Sequence, residues 1–249
     1  MRTHHFRKPN KPFREKRPSS FLEILYEDNH IIAINKKPSD IVQGDKTGDV
    51  PLSENVANFI AKRDNKPGAA FIGVTHRLDR PVSGVVLFAK TSKALERLNE
   101  MFRENEIKKT YWAVVKDRPK EDSGTLIHYL IKNEERNKTF TYDEEREGTL
   151  RAELDYKLIG STDTYHLLEI NLKTGRHHQI RAQLAKIGCP IKGDLKYGFP
   201  RSNPDASISL LARKIEFIHP VKQEPISITA NPPRDPVWNA IMSLFGGKY

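Results

Sequence analysis

A cluster of ionisable side chains lies in the first third of the chain, where a predicted strand ends. It consists of the five residues His76-Arg77-Leu78-Asp79-Arg80. They lie between two apolar segments that are each typical of a buried strand, and charged groups in such a place need a partner or a function. A neighbouring guanidinium would keep the Asp79 carboxylate ionised, as a nucleophile requires. The alternative is a structural ion pair between Asp79 and a flanking arginine in a turn. Pro81 and Gly84 favour an irregular backbone there.

A second polar cluster, Thr174-Gly175-Arg176-His177-His178-Gln179-Ile180-Arg181, follows an alternating segment that ends at residue 172. Apolar residues at helical spacing predict a helix over residues 177–186, with Thr174 as its cap. Arginine and histidine at a helix N-terminus are suited to binding a phosphate or a carboxylate. The alternative is a solvated basic face. Metal binding by His177 and His178 is not expected, because adjacent side chains on a helix point about 100° apart.

A third candidate is Tyr111, which begins the apolar segment at residues 111–115 and follows Lys108 and Lys109. A tyrosine in a strand most often packs within its sheet. The two lysines could contact phosphates, or they could equally be the charges that protect an edge strand.

Hydrophobic periodicity predicts the elements that must position these residues. The predicted strands cover residues 31–34, 71–74, 85–88, 111–115, 152–158 and 166–172, and the predicted helices cover residues 51–62, 92–105, 177–186 and 237–245. Strands cluster between about residues 107 and 230. We therefore predict an α+β fold with a mixed, largely antiparallel central sheet flanked by helices.

Charge and composition limit the possible partners. The 249 residues contain 42 Lys and Arg against 32 Asp and Glu, a net charge of +10, so a polyanion such as nucleic acid is the expected partner. Residues 1–20 hold seven basic residues and one acid, which predicts a disordered basic tail that either attracts a polyanion or aids solubility. Residues 21–249 are predicted to form one domain.

Several classes of protein are not expected from this sequence. No apolar stretch is long enough to span a membrane, and no secretory signal follows the basic N-terminus. Cys189 is the only cysteine, which excludes an internal disulfide and multi-cysteine zinc sites and predicts the reducing cytoplasm. The phosphate-binding loop, the dinucleotide fingerprint and the paired-histidine zinc motif are missing, so we expect no cofactor and no metal.

Residues 76–90, HRLDRPVSGVVLFAK, resemble the signature of RNA pseudouridine synthases of the RluA type. Residues 24–43, 108–115, 172–198 and 215–233 resemble further segments of that family in the same order, so the similarity covers about residues 21–235. It implies a pseudouridine synthase fold with an RNA-binding catalytic cleft, and an enzyme without cofactor or metal.

The resemblance also implies roles for individual residues. Asp79 corresponds to the family's catalytic aspartate, Tyr111 to its active-site tyrosine, and Arg181 to the arginine that pairs with the aspartate. Arg77 corresponds to an arginine that enters the RNA stack when the target uridine is flipped out. The other predicted RNA-binding residues are basic or polar members of the same motifs: His76, Arg80, Lys108, Lys109, Arg176 and His178.

The chain departs from the family pattern at four positions. Asp40 replaces a usual Gly, His177 a common Thr, and Gln183 and Leu211 a His each. These changes affect the RNA-facing details rather than the predicted catalytic set. We also expect no N-terminal RNA-binding domain of the S4 type, which some members carry.

The leading hypothesis is an isomerase that converts specific uridines of ribosomal RNA, transfer RNA or both into pseudouridine, and we expect a monomer. The carboxylate could attack the base, attack the sugar, or stabilise a glycal-forming step. A non-catalytic RNA-binding or RNA-folding module is the alternative, and Asp79 distinguishes the two because a pure RNA binder gains nothing from an acid. A different uridine-modifying enzyme is disfavoured, since no donor site is visible.

Overall fold

One long sheet with a separate hydrophobic core on each face organises residues 22–246, the part of the chain that the computed structural model describes. The tail predicted for residues 1–20 lies outside these residues. The strands are β1 (Ile24–Glu27), β2 (Ile31–Lys36), β3 (Gly73–Val74), β4 (Ser83–Ala89), β5 (Lys108–Val115), β6 (Ser123–Asn133), β7 (Lys138–Tyr142), β8 (Leu150–Ser161), β9 (His166–Leu172), β10 (Leu210–Ile218) and β11 (Pro225–Thr229). The α-helices are α1 (Leu52–Arg63), α2 (Ser92–Arg103), α3 (Gln179–Lys186) and α4 (Pro236–Ser243), and a 3-10 turn covers Leu195–Tyr197.

The strand order is β1-β2-β4-β10-β5-β9-β8-β6-β7, with β3 paired to β4 and β11 paired to β10. Within the described residues, only the pairing of β4 with β10 is parallel. The predicted α+β fold with a mixed, largely antiparallel sheet is confirmed.

Helices cover both faces of the sheet. Leu52, Val56 and Ile60 of α1 pack into one core together with Ile180 and Leu184 of α3. The opposite core receives Ala94 and Leu98 of α2 and Trp238 and Ile241 of α4. Because the central strand β4 is buried along its whole length, it appears in the sequence as a continuous apolar run rather than an alternating one.

The parallel pairing of β4 with β10 requires a glycine. Gly84 has a φ of 114° and stands opposite Ala212 in the register. A Cβ atom at this position would overlap the carbonyl oxygen of Ala212. Gly84 therefore permits the left-handed backbone and the close approach that join the loop carrying Asp79 to the centre of the sheet.

Two local predictions were wrong in their boundaries. The strand predicted over residues 71–74 is reduced to Gly73–Val74. The helix predicted from residue 177 begins at Gln179, because His178 adopts a left-handed conformation with a φ of 52° and no side chain caps the helix. Thr174 does not cap it; its hydroxyl instead donates to Oε1 of Gln179 at 2.8 Å.

Candidate active site

A buried guanidinium lies between two carboxylates. Arg181, in the first turn of α3, donates from Nε and Nη2 to the two oxygens of Asp194 at 2.7 and 2.9 Å. Its Nη1 donates to Oδ2 of Asp79 at 2.9 Å. Burial disfavours the charged guanidinium, but the bonds to Asp194 and Asp79 outweigh that effect and raise the pKa of Arg181. Arg181 is thereby held as a fixed cation against Asp79.

The cation that pairs with Asp79 is not a sequence neighbour. The ion pair that we considered with Arg77 or Arg80 does not form within residues 22–246. Arg80 turns away and binds Asp45 at 3.1 Å and Asp49 at 2.7 Å, with side chains about one-third to two-fifths exposed. This arrangement explains how two arginines can flank Asp79 without neutralising it.

A buried lysine supports the loop of Asp79 from below. Nζ of Lys36, at the end of β2, donates to the carbonyl oxygens of Lys37, Arg80 and Val82 at 2.7 to 3.1 Å. Burial lowers the pKa of Lys36 to about 8, and the nearby carboxylates of Asp40 and Asp79 partly oppose this shift. Lys36 therefore ties the residues that directly follow Asp79 to the end of β2.

His178 lies against Asp79 rather than at the surface. The ring is buried, and Nε2 is 3.3 Å from Oδ2 of Asp79. Nδ1 is 2.9 Å from the hydroxyl of Tyr197. Burial, and then the charge of Arg181, lower the pKa of His178 to about 2, so the imidazole is neutral at pH 7. His177 stacks on the same ring with centroids 3.8 Å apart, an arrangement possible because neither residue is helical.

Tyr111 lies on the floor of the same site. It is half-buried on β5, opposite Ala212 of β10 and Ile170 of β9. Burial and the negative charge of Asp79 raise the pKa of Tyr111, so its phenol stays protonated at neutral pH. The side chain is thus able to donate a hydrogen bond or to stack, but it is a poor base.

These residues line one open cleft. Its apolar wall consists of Leu78, Val82, Leu172, Ile180 and Leu210, and its polar residues are Arg77, Asp79, Tyr111, Arg176, His178, Gln179 and Arg181. A flat apolar wall beside a few convergent polar groups is suited to a small planar ligand. All three predicted catalytic residues are brought together here from β5, α3 and the loop between β3 and β4.

The predicted RNA-binding residues divide into two groups. Arg77 and Arg176 are exposed at the cleft, and Nζ of Lys109 lies beside Gly175 at its edge. Strand alternation places Lys108 on the face of β5 opposite Tyr111. His76 is tied to the sheet, because its Nε2 accepts from the backbone N–H of Leu87 at 3.0 Å. Burial lowers the pKa of His76 to about 4, so it is neutral and not a phosphate-binding cation.

Three residues of the site were missed by the sequence reasoning: Lys36, Asp194 and Tyr197. Asp194 and Tyr197 belong to the segment GDLKYG at residues 193–198, and Lys36 belongs to the segment NKKP at residues 35–38. Both segments lie within the matched motifs, but nothing in their spacing indicates a contact with Asp79. Only the folding of the chain brings them to the cleft.

The described part of the chain contains neither a metal-binding cluster nor a membrane-spanning helix. No group of three or more His, Cys, Asp or Glu residues within residues 22–246 is arranged to hold a metal ion. None of the helices in this region is long and apolar enough to cross a membrane.

Comparison with known proteins identifies the family. A family model described as RNA pseudouridylate synthase matches residues 30–186. tRNA pseudouridine synthase C of Vibrio cholerae is 30% identical over 243 residues, which cover 90% of this chain and 96% of that protein. Ribosomal large subunit pseudouridine synthase D of Xylella fastidiosa is 33% identical over 230 residues, 86% of this chain and 67% of that protein.

The fold agrees with this assignment. The solved structure of human RNA pseudouridylate synthase domain containing 4 superimposes with a TM-score of 0.72 at 22% identity, covering 89% of this chain and 92% of that one. Human RNA pseudouridylate synthase domain containing 1 gives a TM-score of 0.69 at 21% identity, over 92% of this chain and 90% of that one. The chain belongs to the RNA pseudouridylate synthase family, as its resemblance to the RluA type indicates, and it is an isomerase that converts uridine in RNA to pseudouridine.

Proposed function

We propose that Asp79 is the catalytic carboxylate, that Arg181 holds it, and that Tyr111 contacts the uracil. The observation that carries this proposal is the one-sided environment of Asp79. Arg181 donates to Oδ2, whereas within residues 22–246 no hydrogen bond or ion pair occupies Oδ1. A carboxylate with one oxygen held and the other facing a substrate cleft is oriented for reaction.

The reaction needs only groups that this cleft contains. The bond from N1 of uracil to C1′ of ribose breaks, the base turns, and a bond from C5 to C1′ forms. The proton that leaves C5 is balanced by the proton that N1 gains. The Asp79 carboxylate supplies the negative charge or the covalent attachment during the detached stage. The protonated phenol of Tyr111 can donate to the base or stack on it, and the apolar wall can pack against the uracil ring.

The target base must leave its stack to reach Asp79. Extrusion of a base from a stem costs a few kcal/mol, which contacts made by the protein must offset. We assign this task to Arg77, which is exposed at the cleft and has no ion pair or hydrogen bond to any residue of the described chain. Arg176, Lys109 and the basic residues 1–20 would contact phosphates, and their charge makes the affinity dependent on salt.

Transfer RNA is the first substrate that we propose. Relatives named tRNA pseudouridine synthase C from Vibrio cholerae, Salmonella typhi and Yersinia pestis are each 30–31% identical over 90–91% of this chain, and this recurrence supports the proposal. We infer a monomer that acts in the cytoplasm as one catalytic domain. Carbodiimide mapping of transfer and ribosomal RNA, from cells with and without the gene, tests this assignment. Loss of sites in ribosomal RNA alone would contradict it.

Asp79→Asn tests the catalytic assignment. The change keeps the shape and removes the charge, so the variant should bind RNA and form no pseudouridine in a single-turnover assay. Asp143→Asn is the matched control, because Asp143 is 71% exposed and pairs with Lys186 away from the cleft. Turnover by Asp79→Asn comparable to that of the control would reject the proposal.

A further inference from the structure

The hydrogen bonds around His178 define which of its nitrogens carries the proton. The backbone N–H of Thr139, on β7, donates to the hydroxyl oxygen of Tyr197 at 2.8 Å. The Tyr197 hydroxyl therefore has its own proton left to donate, and its other neighbours are Nδ1 of His178 at 2.9 Å and the side chain of Thr139. If Nδ1 is the acceptor in a neutral ring, the proton of that ring lies on Nε2.

The opposite tautomer is disfavoured on both sides of the ring. A proton on Nδ1 would remove the acceptor that the ring offers to the Tyr197 hydroxyl. It would also direct the lone pair of Nε2 at Oδ2 of Asp79, only 3.3 Å away. Double protonation is opposed by burial and by the cation of Arg181. Only the neutral Nε2–H form both leaves a lone pair on Nδ1 for Tyr197 and directs no lone pair of Nε2 at Oδ2 of Asp79.

We propose that His178 is a positioning residue for Asp79: its neutral imidazole presents Nε2–H to Oδ2, and Tyr197 fixes the tautomer that makes this possible. The inference rests on the proposed role of Asp79. Both protein donors, Arg181 and His178, then approach the same oxygen, so Oδ1 is the oxygen left for the uridine. The left-handed backbone of His178 places the ring here rather than on the exposed start of α3.

The arrangement also links β7 to the catalytic carboxylate. Thr139 holds Tyr197 through its backbone N–H, and its hydroxyl donates to the carbonyl oxygen of His177 at 2.9 Å. The chain of contacts therefore runs from the hairpin of β6 and β7 through Tyr197 and His178 to Asp79.

Nitrogen-15 NMR of the full chain labelled in histidine tests the tautomer directly. We expect a pyrrole-type Nε2 and a pyridine-type Nδ1 for His178 at pH 7, assigned by comparison with His178→Gln. Tyr197→Phe should shift the ring toward the other tautomer. A pyridine-type Nε2 in the wild type, or a doubly protonated ring, would overturn the proposal whatever the activity of the enzyme. This measurement does not depend on the role of Asp79.

Single-turnover kinetics test the consequence for chemistry. Glutamine can present an amide N–H at about the reach of Nε2, whereas leucine cannot. We expect His178→Gln to retain at least tenfold more turnover than His178→Leu at saturating RNA. Tyr197→Phe should lose turnover about tenfold, the effect expected when one hydrogen bond that orients a group of the site is removed. Equal rates for the glutamine and leucine variants would overturn the proposal, whereas an active Asp79→Asn would overturn only the role of Asp79.

Discussion

The pair formed by Arg181 and Asp194 should be the most sensitive ion pair of the site. The side chain of Arg181 is 5% exposed and that of Asp194 is 1% exposed, so water cannot replace a lost partner. Removing one member of a buried pair typically costs 3–5 kcal/mol, because the other charge stays buried. Asp194→Asn keeps one acceptor oxygen, which places the expected loss near the lower end, at about 3 kcal/mol in the free energy of unfolding. That loss corresponds to a factor of about 150 in the unfolding equilibrium.

An exposed pair on the same helix provides the control. Lys186, in the last turn of α3, binds Asp143 at 2.7 Å, but these side chains are 35% and 71% exposed. Such pairs contribute about 0–1 kcal/mol, so Asp143→Asn should be close to the wild type. Both variants replace an Asp that pairs with a cation of α3 by Asn. The pair of Asp194 is buried, whereas the pair of Asp143 is exposed to water. The comparison isolates the effect of burial.

Urea unfolding at pH 7, followed by circular dichroism, measures both variants. The slope against urea concentration should stay unchanged, so that a shift of the midpoint reports stability alone. Turnover by Asp194→Asn should also fall, because a guanidinium released from Asp194 can bind both oxygens of Asp79 and occupy Oδ1. A difference of less than about 1 kcal/mol between Asp194→Asn and Asp143→Asn would refute the reasoning.

Two further perturbations follow from the same site. Arg77→Ala should slow single turnover about tenfold more on a structured stem-loop than on an unstructured strand, since unstacking costs little in the latter. Arg80→Ala is the control: Arg80 already forms ion pairs with Asp45 and Asp49, so this variant should lose the same fraction of its turnover on both RNAs. An equal fractional loss of turnover on both RNAs for Arg77→Ala would rule out a role for Arg77 in flipping. Burial lowers the pKa of Lys36 from 10.5 to about 8, so between these values the unfolded chain binds more protons than the folded one. The wild type should therefore gain up to about 3 kcal/mol of stability relative to Lys36→Met as the pH rises from 8 to 10.5. If the free energies of unfolding of the two proteins change with pH in the same way, the lowered pKa of Lys36 is contradicted.

The periodicity of apolar residues was sufficient to predict the helices and strands that bury only one face. The apolar residues of α1 and α2 recur at helical spacing, and most of them face the core because each helix packs one face against the sheet. Phe59 of α1 is the exception, since it is exposed. The alternation at residues 152–158 likewise predicted the central part of β8. The hairpin of β6 and β7 was missed, because the first residues of β6 are exposed and show no clean alternation. The ordered motifs predicted the family, and they also predicted Asp79, Tyr111 and Arg181 as site residues, which lie together in one cleft.

Tertiary structure decided which charges meet. Asp79 and Arg181 are 102 positions apart in the chain, and their contact depends on the parallel pairing of β4 with β10 and on the packing of α3. The same folding removes Arg80 from Asp79 and turns His178 inward, although the sequence suggests the reverse for both. Periodicity reports which face of an element is buried, since that depends on neighbours within a few residues. It carries no information on which distant side chain a buried charge will find, and that choice determines the chemistry of this cleft.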